Sequence, residues 1–108
     1  MYSRKKVPFN ALIKNHDVTS FPLMAYPLRR DFYPPFKFVV HRKVNCIDGV
    51  LLESKDSWVV SEVMSGATAT SGVGLPTIRE AIASARERLG KRTPQEVGVI
   101  VAKFMGLA

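Results

Sequence analysis

The sequence predicts an α+β domain: a three- or four-stranded antiparallel β-meander, two C-terminal helices and an extended basic, proline-rich N-terminal segment. Three observations carry that prediction. Apolar residues alternate with a period of two from Phe36 onward, and Asp48-Gly49 makes a tight-turn pair ahead of a second such run. Thr-x-x-Glu occurs twice, at Thr77 to Glu80 and at Thr93 to Glu96, each time opening apolar residues at helical spacing. A chain of 108 residues, 46% hydrophobic and 23% charged, has room for one core. Residues 1–35 are expected to form the segment and residues 36–108 the core domain.

The first strand is read from Phe36, Phe38 and Val40, which alternate with Lys37, Val39 and His41, and it should run to about Val44. Gly49 accepts the positive φ that a two-residue hairpin turn demands, so Val50 to Ser54 should return antiparallel. Lys55-Asp56-Ser57 reads as the next turn, and Trp58 to Met64 as the third strand. Ser65-Gly66 then leads into a short, threonine-rich edge strand from Ala67 to Ser71. Trp58 is expected as a core pivot under the helices. Were it instead open to solvent beside the basic residues, it would become a stacking residue.

The first helix should begin at the Thr77 cap. Ile78, Ala81, Ile82, Ala85 and Leu89 then form one apolar stripe, and Gly90 ends it. Thr93 repeats the cap with Pro94 at the first helical position, where a missing amide costs nothing. The second stripe is Val97, Ile100, Val101 and Phe104, with Gly106 as the stop.

Five of the seven prolines lie in residues 1–35, so no long helix fits after about Asp17, and that stretch is read as extended or looped. A short helix over Phe9 to Asn15, capped by Asn10, is compatible with Leu12 and Ile13 pointing inward. The longest apolar runs are a few residues, as in Val99 to Ala102, against about 20 for a membrane span. No secretory signal is read at the N-terminus, and a cytoplasmic location with no membrane partner is expected.

The formal net charge of +7 is unevenly placed. Residues 1–43 hold nine basic against two acidic side chains, and residues 44–108 hold seven of each, so the whole excess belongs to the leading part. There cations interleave with rings. The candidate binding residues are Tyr26, Arg29, Arg30, Phe32, Tyr33, Phe36, Lys37, His41, Arg42 and Lys43. Arg and Lys neutralise phosphates while aromatic faces stack on exposed bases, and the same mixture makes hot spots in protein interfaces.

Other constellations are thinner. Ser71-Gly72-Val73-Gly74 before the Thr77 cap places free amides where an anion could sit, but no Gly-Lys-Ser/Thr follows, and a plain strand-to-helix connection accounts for it. His16-Asp17 lacks further metal ligands. His41 and Cys46 lack an orienting third group, which leaves a surface histidine and a small packing cysteine. No catalytic residue, metal or cofactor is assigned, and the chain is read as no enzyme.

From Trp58 to Leu89, the order of Trp-x-Val, a Ser-Gly turn, a short Ala/Thr strand and a capped helix resembles small accessory proteins of phages and plasmids, anti-CRISPR and other anti-defence proteins among them. That resemblance implies one small domain that blocks a larger nucleoprotein machine; the population has no common motif, so no residue role carries over. Gly72-Val73-Gly74 leading into Thr77 and Ala81 to Ala85, behind three strands and a helix near Phe9, also resembles the double-stranded RNA-binding domain. That family's lysine cluster is replaced here by Ile78, Arg79 and Glu80, with Pro76 just before them. The expected function is therefore a non-catalytic binding protein, an accessory factor or inhibitor that engages a protein or nucleoprotein complex through its basic aromatic surface. The alternatives are a direct DNA- or RNA-binding module and an obligate oligomer, a homodimer for instance, with a structural N-terminal arm.

Overall fold

A computed structural model describes residues 2–14, 18–70 and 73–105. The elements are β1 (Val7–Lys14), β2 (Val18–Pro27), β3 (Phe38–Ile47), β4 (Val50–Glu62), α1 (Ile78–Gly90) and α2 (Pro94–Phe104). The strands form one open antiparallel sheet in the order β1-β2-β3-β4, followed by the two helices, so the class is α+β.

Two of the four strands come from the stretch read as a segment outside the core. Where a helix was expected over Phe9 to Asn15, β1 pairs with β2 from Val7 opposite Ala25 to Lys14 opposite Val18; Asn15 itself lies outside the described residues. The deciding period is two: Phe9 and Ala11 are buried on one face and meet Leu23 and Ala25. Prolines do not forbid this. Pro8 stands on the outer strand, and Pro22 on a part of β2 whose far side pairs with nothing in β3, so neither need supply a ladder amide. Only Tyr26 and Pro27 of β2 reach β3, opposite Val40 and Val39.

The second half of the meander also differs from expectation. Lys55-Asp56-Ser57 is no turn, because β4 is one strand whose two ends pair with the same partner. Trp58 to Glu62 lie opposite Arg42 to Phe38, and Val50 to Glu53 opposite Ile47 to Val44; the surplus residues are absorbed as a register shift beside Arg42 and Val44. The edge strand expected from Ala67 reduces to a bridge between Ser61 and Thr68, with the Ala69 amide bonded to the Val60 carbonyl at 2.7 Å. The Asp48-Gly49 turn is as expected. Both residues have positive φ, 51° and 78°, which matches the right-handed strand twist of a hairpin and which glycine adopts without cost.

The sheet carries a core on each face, and the β3–β4 tip extends beyond both. Leu28, Phe38, Val40 and Val60 meet Ala81, Ile82, Ala85 and Leu89 of α1 and Val97 and Val101 of α2. The opposite face gathers Phe9, Ala11, Leu23, Ala25 and Val39. The rings of Phe9 on β1 and His41 on β3 lie 5.0 Å apart although β2 separates their strands in the sheet order. The two side chains therefore reach toward each other across β2, where Ala25 of the same core is small enough to let them meet.

The helices start where the threonines place them. Thr77 Oγ1 accepts from the Glu80 amide at 3.1 Å, and at α2 Thr93 and Glu96 make the full reciprocal box. Gly90 is the last residue of α1, with Lys91 as its cap; Gly106 lies outside the described residues. No helix among the described residues is long and apolar enough to cross a membrane.

Candidate functional site

Residues 2 to 6 run alongside the end of β2, with Tyr2 bridged to Leu28 and the Ser3 amide donating to the Pro27 carbonyl at 2.8 Å. That course carries Lys6 Nζ to 5.3 Å above the Tyr26 ring and sets Tyr2 edge-on to the same ring at 5.6 Å. On the adjoining strands Arg42 stands directly opposite Trp58, and its guanidinium carbon lies 5.2 Å from the centre of the indole. Tyr26 and Trp58 are 6.4 Å apart. Lys6, Tyr26, Trp58 and Arg42 therefore form one cluster, in which Tyr26 on β2 and Trp58 on β4 meet across β3, the strand that carries Arg42.

Tyr26 and Trp58 are half-buried at the margin of the main core, while Lys6, Arg42 and Tyr2 are exposed. The cations rest on the negative faces of the rings, each contact contributing about 0.5–1 kcal/mol at an exposed site. Among the described residues, neither Lys6 nor Arg42 is in an ion pair. Their charge is held in place by rings and left uncompensated, which is the electrostatic requirement for an anion-binding surface.

The residues singled out from the sequence divide three ways. Tyr26 and Arg42 belong to this cluster. Phe32, Tyr33 and Phe36 are partly buried against the main core, as Tyr26 and Trp58 are, but lie elsewhere: Phe32 and Tyr33 on Phe38 at 5.7 and 6.3 Å and Phe36 on Gly98 of α2. The Tyr33 hydroxyl also donates to the Arg92 carbonyl at 3.1 Å, and Arg86 of α1 lies 5.6 Å over Phe32. Arg29, Arg30 and Lys37 are exposed and make no ring contact among the described residues, Arg29 being paired with Asp31 at 3.3 Å; Lys43 is half-buried beside the register shift.

His41 is a correction. Expected at the surface, it is 3% exposed, with Nδ1 2.8 Å from the Arg42 carbonyl and Nε2 2.8 Å from Ser61 Oγ. Its strand parity turns it into the second core while Arg42 faces the other way. The pair has the hydrogen bond of a base and a nucleophile, with Ser61 2% exposed. Burial holds the His41 pKa below its ordinary value, opposed in part by the bond to the Arg42 carbonyl.

Glu62 is also buried, and its carboxylate accepts from the amides of Met64 and Ser65 and from the Ser65 hydroxyl at 2.8–2.9 Å. It closes the turn after β4. His16-Asp17 and Ser71-Gly72 lie outside the described residues, and among those described no three His, Cys, Asp or Glu side chains gather as a metal site.

Sequence reasoning missed Tyr2 and Lys6, which lie 24 and 20 positions from Tyr26 and meet it only through the β2 pairing. Trp58, read from the sequence as a core pivot or, if open to solvent, a stacking residue, is half-buried against the main core with Arg42 over its indole. No protein-family model matches this chain, nor does any curated protein or solved structure.

Proposed function

We propose that this protein is a non-catalytic binding protein whose recognition surface is the cluster of Lys6, Tyr26, Trp58 and Arg42, and whose partner displays nucleic-acid phosphates, as a nucleic acid or a nucleoprotein complex. The carrying observation is that two cations without acidic partners among the described residues are mounted on half-exposed rings, in a chain of net charge +7. A polyanion gains from such a surface by releasing its counterions.

A protein component in the partner is favoured by the tip of the β3–β4 hairpin, where Ile47, Val50 and Leu52 are each more than half exposed. An accessory factor or inhibitor of a nucleoprotein machine would use both surfaces. The arm that an obligate oligomer would exchange is occupied within its own chain, since the β1–β2 hairpin covers Val39.

Fluorescence anisotropy with labelled single-stranded and duplex DNA and RNA, each at two salt concentrations, tests the reading. Binding that weakens steeply with salt is expected. Absence of binding to every probe at physiological salt overturns it.

A further inference from the structure

We infer that a cleft between α2, the end of α1 and residues 67–69 binds a small apolar carboxylate, an aromatic or branched-chain acid of about seven carbons. It shares no residue with the cluster of Lys6, Tyr26, Trp58 and Arg42. The cleft has a volume of about 120 Å³ and is lined by Phe38 of β3, Leu89 of α1 and Val97, Ile100 and Val101 of α2. All of these but Ile100 are buried. Protein interiors pack at a density of about 0.75, so an opening of this size among apolar side chains forfeits dispersion contacts that an apolar guest restores. An apolar cavity of about 150 Å³ takes up benzene, which sets the scale of the guest as one ring or one branched chain. Ala67 and Ala69 leave the space by their small side chains.

Charge decides the head group. Arg88 and Arg92 line the same cleft and are both exposed, so their charge stands where it opens to water. Among the described residues Arg88 is in no ion pair, and Arg92 meets Glu96 only at 4.0 Å, in a pair about half open to solvent. Glu62 also lines the cleft, but both its carboxylate oxygens accept from the Met64 and Ser65 amides and the Ser65 hydroxyl, so its charge is answered within its own turn. An apolar body with an anionic head therefore matches the interior and the mouth together. The planar fork of a guanidinium fits a carboxylate with two parallel hydrogen bonds.

Benzoate is the probe. Titrated into the full-length protein, it should shift the methyl resonances of Val97, Ile100 and Val101 in a saturable way, with a Kd of about 1 mM or tighter. Benzamide keeps the ring without the charge and acetate keeps the charge without the ring, so each should bind about ten-fold more weakly. Arg88→Gln, an exposed change that leaves the core intact, should weaken benzoate about five-fold and leave benzamide unaltered. Ala69→Leu should fill the cleft and remove the binding of both. Methyl resonances unmoved at about 20 mM benzoate would overturn the inference and make the cleft a packing void. Acetate binding as tightly as benzoate would also overturn it, by leaving only a pair of surface arginines. Neither result bears on the nucleic-acid reading, and loss of that reading leaves this site standing.

Discussion

Acidification below about pH 6.5 should loosen this fold through His41. Its two ring nitrogens meet one carbonyl and one hydroxyl, so a single ring proton satisfies both contacts: Nδ1 donates to the Arg42 carbonyl and Nε2 accepts from the Ser61 hydroxyl. A second proton would leave Nε2–H facing a hydroxyl already poised to donate, inside a site that is 3% exposed. The folded pKa is accordingly below 6.5, with desolvation the larger cause. The unfolded chain takes up the proton near 6.5 and the native chain does not, so unfolding consumes a proton in the window beneath that value. Stability is complete above 6.5 and is lost as the pH falls toward the folded pKa. One proton taken up on unfolding lowers stability by at most about 1.4 kcal/mol per pH unit, so the protein should be less stable at about pH 5.5 than at about pH 7.5. Urea titrations followed by circular dichroism at the two pH values measure it. His41→Gln should erase the difference, whatever that variant's absolute stability. A wild-type protein equally stable at both pH values, or an unchanged difference in His41→Gln, refutes the argument.

Ile82, 1% exposed between α1 and the sheet, should cost about 2–5 kcal/mol as Ile82→Ala, read from the shift in the urea midpoint; a loss below about 1 kcal/mol would mean the helix is not packed as described. Gly74→Ala should destabilise by about 1–2 kcal/mol because Gly74 has φ +77°, and the added Cβ would lie 3.0 Å from Ser57 Cβ and 3.3 Å from the Trp58 carbonyl oxygen. The same change should weaken oligonucleotide binding by loosening the Leu75–Trp58 bridge, whose bonds are 2.7 and 2.9 Å; unaltered stability and binding would contradict both points.

The elements that sequence reasoning placed correctly are those whose determinants lie within a few residues. Thr77 and Thr93 bond to amides three positions on, and Asp48-Gly49 reverses the chain by its own dihedral angles, so each can be read without knowing what lies across the molecule. Phe9 and Ala11 failed that test. Asn10 resembles a helix cap as readily as an outward strand residue, and only the pairing with Leu23 and Ala25 decides between them. Lys55 to Ser57 look like a turn locally, yet β3 is long enough to hold both ends of β4 and draws the chain through.

The binding surface divides along the same line. By itself the sequence determined that the chain carries a positive excess in its leading part, which rings accompany it, and that Trp58 stands alone of its kind. Charge and composition are sums over residues, independent of conformation. Tertiary structure decided which cation rests on which ring: Lys6 on Tyr26 through residues 2–6 running beside β2, and Arg42 on Trp58 through register. It also turned His41 inward and committed Phe32, Tyr33 and Phe36 to the helices. Those outcomes hang on strand parity and on which segment covers which face, and a one-residue slip in pairing would reverse them.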